Sequence, residues 1–252
     1  MKYLDILARL GVGNAHPGGF AATLEQLRHY PIAPGSRVLE IGCGTGRTAC
    51  HLAKQGIHVT AVDIHRDMLM KAKKRAAAEQ VAVSFVQADA CSLPFADNEY
   101  DVVWIESVSV FTDPAKVAAE SYRVLKSGGM LYDREMVAVK PITDEIRQIL
   151  ADFYGIKKLL SPEEWLELLN SCRFQRVKIW KPGIFTVSMW ENEFLYPDEY
   201  QWTDMEAYTD PQVWKTMSEY ENIMEKYGRH FGFGVLIGAK ESPFYSSSGK
   251  IS

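Results

Sequence analysis

Between Arg37 and Glu135 five short apolar segments alternate with helical patterns and loops, and that alternation restricts the fold more than any other feature of the chain. Arg37 to Ile41 runs into a glycine-rich turn and a helix over Thr45 to Lys54 that Gly56 ends; His58 to Asp63 is followed by a helix over Arg66 to Glu79. Ala82 to Ala88 leads to a loop holding Pro94, and Asp101 to Ile105 comes next. The spacing then predicts a helix over Ala115 to Leu125, with Ser127-Gly128-Gly129 offering a left-handed cap, and a fifth strand over Met130 to Glu135. Strands and helices in this order form right-handed βαβ units, hence an α/β fold with a parallel sheet covered by helices on both faces.

After Pro141 the pattern changes to helices over Asp144 to Tyr154 and from Pro162 to Ser171, then strand-like runs over Phe174 to Trp180 and Phe231 to Ala239. With 252 residues, 47% hydrophobic and 24% charged, the chain suits one globular domain. Within it we expect an N-terminal helical lid (1–30), a core (31–180 and 230–240), an inserted cap (181–229) and a flexible tail (241–252).

The formal net charge is −4. The densest basic group, Lys71, Lys73, Lys74 and Arg75, reads as a solvated helix face, so neither nucleic acid nor a membrane surface is expected as a partner. The N-terminal MKYLDILARL is amphipathic and lacks a secretory h-region, and no apolar run reaches membrane-spanning length, which points to the cytoplasm. Cys43, Cys50, Cys91 and Cys172 have no CxxC spacing and read as reduced thiols, with no metal site.

The segment VLEIGCGTGR places Gly42, Gly44 and Gly46 at the end of the first strand and directly before a helix, where missing Cβ atoms permit a tight turn and close ligand approach. A dinucleotide fingerprint needs glycine where Arg47 stands, and the Gly-Lys-Ser/Thr of a phosphate loop is absent. The turn therefore favours a nucleoside without a pyrophosphate and disfavours a nicotinamide oxidoreductase. Alone, such a turn is as readily structural as functional. Glu40, Asp63 and Asp89, however, stand at three successive strand ends, and a carboxylate at the second strand tip can accept hydrogen bonds from both ribose hydroxyls. Each can also be read as a strand-end or helix-capping carboxylate; together they converge on the crevice where open α/β sheets hold ligands.

VLEIGCGTG, AVD ending at Asp63, ADA around Asp89, LPFADNEYDVV and LKSGGML follow one another in order, and over roughly Ile32 to Glu135 the chain resembles the class I S-adenosylmethionine-dependent methyltransferases, specifically the small-molecule group called methyltransferase type 11. The resemblance implies a Rossmann-like sheet of seven mostly parallel strands with the last antiparallel, S-adenosylmethionine as cofactor with S-adenosylhomocysteine as product, and methyl transfer to a small molecule. It implies that Glu40 with Gly42, Cys43, Gly44 and Gly46 holds the methionine portion, that Asp63 binds the ribose, that Ile64 packs on the adenine, and that Asp89 with Ala90 recognises its edge. Glu106 would then lie beside the transferable methyl. Relatives commonly join the last two strands by a short hairpin, whereas this chain inserts about fifty residues, so the resemblance does not reach the acceptor.

A sulfonium methyl is already electrophilic, so alignment of the acceptor is the principal requirement, and a base is needed only where the attacking atom must lose a proton. Candidates for that chemistry are His16, which precedes a helix over Phe20 to Tyr30, together with Glu106, Asp133 and Glu135. His16 also reads as an exposed or capping loop histidine, and Asp133 and Glu135 as surface carboxylates at a strand end. The insertion carries Trp190, Phe194, Tyr196, Tyr200, Trp202 and Tyr208, then Trp214, Met217, Tyr220, Met224 and Tyr227 at steps of three and four. These can pack on the sheet, cage an aromatic or cationic acceptor, or form a homodimer surface. Rival functions are a noncatalytic S-adenosylmethionine binder and a nucleic-acid methyltransferase; the second lacks both a basic surface and an Asn/Asp-Pro-Pro-aromatic signature.

Overall fold

The computed structural model describes residues 3–185 and 196–241, and places seven strands in one sheet in the order β3-β2-β1-β4-β5-β7-β6. They are β1 (Arg37–Ile41), β2 (His58–Asp63), β3 (Val83–Gln87), β4 (Tyr100–Glu106), β5 (Leu125–Ala138), β6 (Gln175–Ile184) and β7 (Phe231–Ala239). β1 through β5 pair in parallel, and β7 runs antiparallel between β5 and β6. This is the anticipated Rossmann-like arrangement. Consecutive residues Val38 and Leu39 of β1 are both buried, as a central strand covered on each face requires. On one face Val38, Trp104 and Tyr132 pack under α2 (Gly19–His29), α3 (Arg47–Lys54) and α4 (Arg66–Ala78) through Leu27, Leu52 and Leu69. On the other, Leu39, Ile41 and Ile105 meet Val117 of α5 (Pro114–Val124) and Trp165 and Leu169 of α7 (Pro162–Ser171).

Helix starts follow local chemistry. Asp113 accepts a hydrogen bond from the Ala115 amide with Pro114 in the first turn of α5, and Ser161 forms a reciprocal capping box with Glu164 at the start of α7. α1 (Tyr3–Leu10) precedes them all and buries Ile6, Leu7 and Ala8. α6 (Asp144–Ile149) continues as a π-turn over Leu150–Tyr154, which Gly155 ends at φ 80°.

Two expectations are corrected. Ser127-Gly128-Gly129 does not cap α5: the helix stops at Val124 and the chain enters β5 at once. The Gly128 amide donates to the Lys240 carbonyl at 2.6 Å, so the glycines serve an irregularity at the sheet margin. In the insertion, α8 (Pro211–Tyr227) buries Val213, Thr216, Ile223 and Tyr227, with Tyr220 and Met224 against the core, while Trp214 is 61% exposed. Its inner face is set by Val213 and Thr216, one position before and two after Trp214. Trp190 and Phe194 lie outside the described residues. Among the described residues no helix is long and apolar enough to cross a membrane, and no group of His, Cys, Asp and Glu could hold a metal.

Candidate active site

The turn after β1 holds Gly42, Gly44 and Gly46 at φ 72°, 52° and 77°, the left-handed region that glycine enters without steric cost. The amides of Gly42 and Cys43 both donate to the Val62 carbonyl, at 2.8 and 2.9 Å, folding the turn onto β2. A Cβ on Gly42 would lie 2.1 Å from Cγ2 of Val108, whereas one on Gly44 would meet nothing within 4 Å, so the open side of the turn is at Gly44. The Cys43 side chain points away from that opening into the core beside Ala49 and Leu52, and burial, with Glu40 and Asp63 nearby, pushes its thiol well up.

Asp63, at the end of β2, braces the turn: Oδ2 accepts from the Gly44 amide at 2.9 Å and Oδ1 from the His65 amide at 2.8 Å. Burial raises its pKa, against the lowering effect of those amides. The next residue, Ile64, is 67% exposed, an apolar side chain presented beside a carboxylate. Beyond β3, Asp89 is exposed with Oδ1 on the Cys91 amide at 2.9 Å, and Ala90 is buried. This side of the crevice is an open rim.

The other side is closed. Glu40 of β1 and Glu106 of β4 project from one face of the sheet, the face that α2 and α3 cover. Glu106 Oε1 accepts from Thr23 Oγ1 of α2 at 2.7 Å and Oε2 from Thr48 Oγ1 of α3 at 3.0 Å. His16 Nε2 and Arg134 Nε each stand 3.7 Å from Oε1. Burial alone would raise the Glu106 pKa, but His16, Arg134 and Thr23 outweigh it and hold the carboxyl below its usual value. Glu40 is moved the other way, well up, by burial first and then by Glu106 and Asp63. Its Oε2 is buried with no hydrogen-bond partner. The two neighbouring carboxyls are thus shifted in opposite directions. Arg134 also donates from Nη2 to the Ala22 carbonyl (2.9 Å) and Gln26 Oε1 (2.8 Å), seating α2 on the strand tips. His16 is buried in this closure, 3.3 Å from Thr23 Oγ1, and is not the exposed loop histidine of the alternative reading.

Asp133 and Glu135 are neither on the surface nor beside Glu106. They are 3% and 0% exposed, and strand alternation sends them to the sheet face opposite Arg134. Asp133 Oδ2 accepts from Ser109 Oγ at 2.8 Å, so Asp133 is engaged inside the fold and does not line the mouth of the crevice.

Nor is Arg75 part of a solvated face. It is 2% exposed, donating from Nε to the Thr45 carbonyl of the glycine turn (2.9 Å) and from Nη1 and Nη2 to the two oxygens of Asp198 (2.8 and 2.5 Å). Lys71 donates to the Trp202 carbonyl and to Asp204, and Lys74 lies 3.8 Å over the Trp202 ring. The returning limb of the insertion is therefore bound along α4 behind the glycine turn. Sequence reasoning missed Thr23, Thr48, Arg75, Arg134 and Asp198; only Arg134, a cation flanked by two acids at a strand end, carried a local signal.

An uncovered Gly44, an unpartnered buried Glu40 oxygen, a braced carboxylate and an exposed Ile64 suit a cationic nucleoside ligand, and the sheet order with this turn is that of the nucleoside-binding methyltransferase class. Residues 39–133 match the family model described as a methyltransferase domain. The chain is 33% identical over 244 residues to the uncharacterized methyltransferase YodH of Bacillus subtilis, covering 95% of this chain and 99% of that protein. It is 41% identical over 103 residues to the ubiquinone/menaquinone biosynthesis C-methyltransferase UbiE of a Ruegeria species, 39% of this chain and 41% of that one. Phosphoethanolamine N-methyltransferase 2 of Haemonchus contortus, solved with phosphomonomethylethanolamine and S-adenosylhomocysteine, superposes with a TM-score of 0.72 at 22% identity, over 95% of this chain and 57% of that one. The chain belongs to the methyltransferase-domain family and is an S-adenosylmethionine-dependent methyltransferase.

Proposed function

We propose that the chain methylates a small molecule whose attacking atom carries an ionisable O–H or N–H, at the closed end of the crevice between the lid and the tips of β1 and β4. The observation that carries this reading is the meeting of His16 and Glu106 beneath α2, beside Glu40 and the glycine turn. Relatives named for quinone biosynthesis and for phosphoethanolamine support a small acceptor, one a ring and one an amine.

When bound, S-adenosylmethionine supplies a methyl group on a cationic sulfur, which needs no further activation. In this reading Asp63 holds the ribose while the Gly44 amide keeps its carboxylate aimed. Ile64 forms the apolar floor under the adenine, Asp89 and Ala90 meet its edge, and Glu40 receives the methionine portion through its free oxygen. Glu106, paired with Arg134, orients the His16 imidazole in its neutral form and favours the positive charge that the ring gains. His16 then accepts the acceptor's proton as the methyl is transferred. Lid residues Thr23 and Gln26, buried at the same tips, exclude water.

Tyr200 and Trp202 face the chain's own Arg75 and Lys74, so these aromatics serve packing and do not cage a cationic acceptor. The test is transfer of labelled methyl from S-adenosylmethionine to panels of phenols and amines. His16→Gln should lower turnover about a hundredfold or more and leave S-adenosylhomocysteine affinity unchanged. Wild-type turnover in His16→Gln refutes the assignment, and tight cofactor binding without transfer to any small molecule supports the noncatalytic binder.

A further inference from the structure

We infer that Glu135 and Asp133 share a single proton and together position the turn over Ser107–Ser109 against the cofactor loop. The inference rests on the cofactor lying at Gly42–Gly46, as proposed above. Glu135 Oε1 accepts two backbone amides, Val108 at 2.7 Å and Ser109 at 2.6 Å, and Asp133 Oδ2 accepts the Ser109 hydroxyl at 2.8 Å. The remaining oxygens, Glu135 Oε2 and Asp133 Oδ1, are buried and meet no N–H or O–H from elsewhere. Two residues apart on one strand and both bound to Ser109, the carboxyl groups stand side by side on one face of β5, and these two oxygens are left to each other. Two carboxylate oxygens are both acceptors, so that contact requires a proton, and two adjacent anions in a dry site could not both persist.

Burial raises both groups, which keeps one proton on the pair. Glu135 Oε1 then takes the two amides while the shared proton lies between Glu135 Oε2 and Asp133 Oδ1. What is held matters for the site: Ser107 sits at φ 58°, its amide donates to the Arg134 carbonyl at 2.8 Å, and Val108 lies directly on Gly42. The pair therefore sets how close the wall at Val108 stands to the cofactor turn. It works through that turn and not by touching the reacting atoms.

Glutamine reproduces a neutral acid here, accepting the amides through its oxygen and donating to Asp133 through its nitrogen. Glu135→Gln should bind S-adenosylhomocysteine within about threefold of wild type, whereas Glu135→Leu, which lacks both functions, should bind about tenfold or more weakly. Infrared difference spectra should show a protonated-carboxyl C=O stretch at about pH 8 that disappears in Glu135→Gln and survives Glu40→Gln. A Gln variant as impaired as the Leu variant, or no loss of that band, overturns the inference. Should the Leu variant fail to fold, the Gln affinity and the band still decide. Failure of wild type to bind S-adenosylhomocysteine would instead count against the cofactor site, because the infrared band needs no ligand.

Discussion

Replacing Asp198 by Asn tests how the insertion is held to the glycine turn. Arg75 and Asp198 are 2% and 4% exposed at their side chains and meet through both guanidinium nitrogens. Burial alone would lower the Arg75 pKa, but Asp198 and Glu79 more than offset it, so the guanidinium is held charged. Removing one partner of a buried ion pair costs about 3–5 kcal/mol, mostly because the other charge is stranded. Here Glu79 remains at 3.3 Å and the Thr45 carbonyl at 2.9 Å. Asn also keeps one oxygen, so the loss should be about 2–3 kcal/mol. At roughly 2–4 °C per kcal/mol for a chain of this size, the thermal midpoint should fall by about 4–12 °C. Because Thr45 belongs to the glycine turn, S-adenosylhomocysteine should also bind more weakly. Differential scanning fluorimetry with and without S-adenosylhomocysteine reads both effects. A midpoint within about 1 °C of wild type would show that the contact is no better than a surface ion pair, and would refute the reasoning.

Other expectations follow from the same geometry. Gly42→Ala should fold yet lose most cofactor affinity in calorimetry, because a Cβ at φ 72° collides with Val108. Glu106→Gln leaves the buried Arg134 without its carboxylate and should cost about 3 kcal/mol in urea unfolding at neutral pH. The Glu106 contribution, with its folded pKa below the unfolded value, is present above the unfolded pKa and lost as pH falls through the folded one. Glu40 is raised, so its contribution is present below the unfolded pKa and lost as pH rises through the folded one. Denaturation curves of Glu40→Gln should therefore lose less stability toward alkaline pH than wild type. Under native conditions a thiol reagent should modify Cys91 and Cys172 quickly and Cys43 and Cys50 only on unfolding, since the latter two are buried.

The sheet and its glycine turn were legible because their determinants are local. Gly42, Gly44 and Gly46 need positive φ, and alternating apolar runs ending in Glu40, Asp63 and Asp89 mark strand tips without any knowledge of distant contacts. The rest depended on long-range partners. Arg75 looked like one of four surface cations until Asp198, far along the chain, met it. Asp133 and Glu135 looked exposed because their partners are backbone and hydroxyl groups of the turn after β4, which no residue pattern announces. Gly128 and Gly129 followed a helix and suggested a cap, but the neighbouring Lys240 carbonyl claimed the Gly128 amide. Trp214 fell off the buried stripe because small and β-branched residues, Val213 and Thr216, define the inner face of α8.

The most direct test of the whole account is calorimetric titration with S-adenosylmethionine, S-adenosylhomocysteine, NAD and NADP, using Asp63→Ala beside wild type. Asp63 both braces Gly44 and faces the proposed ribose position. The account predicts micromolar binding of both adenosyl ligands, a loss of about tenfold or more in Asp63→Ala, and no binding of the nicotinamide dinucleotides. Undiminished adenosyl binding in the variant, or dinucleotide binding alone, would contradict it.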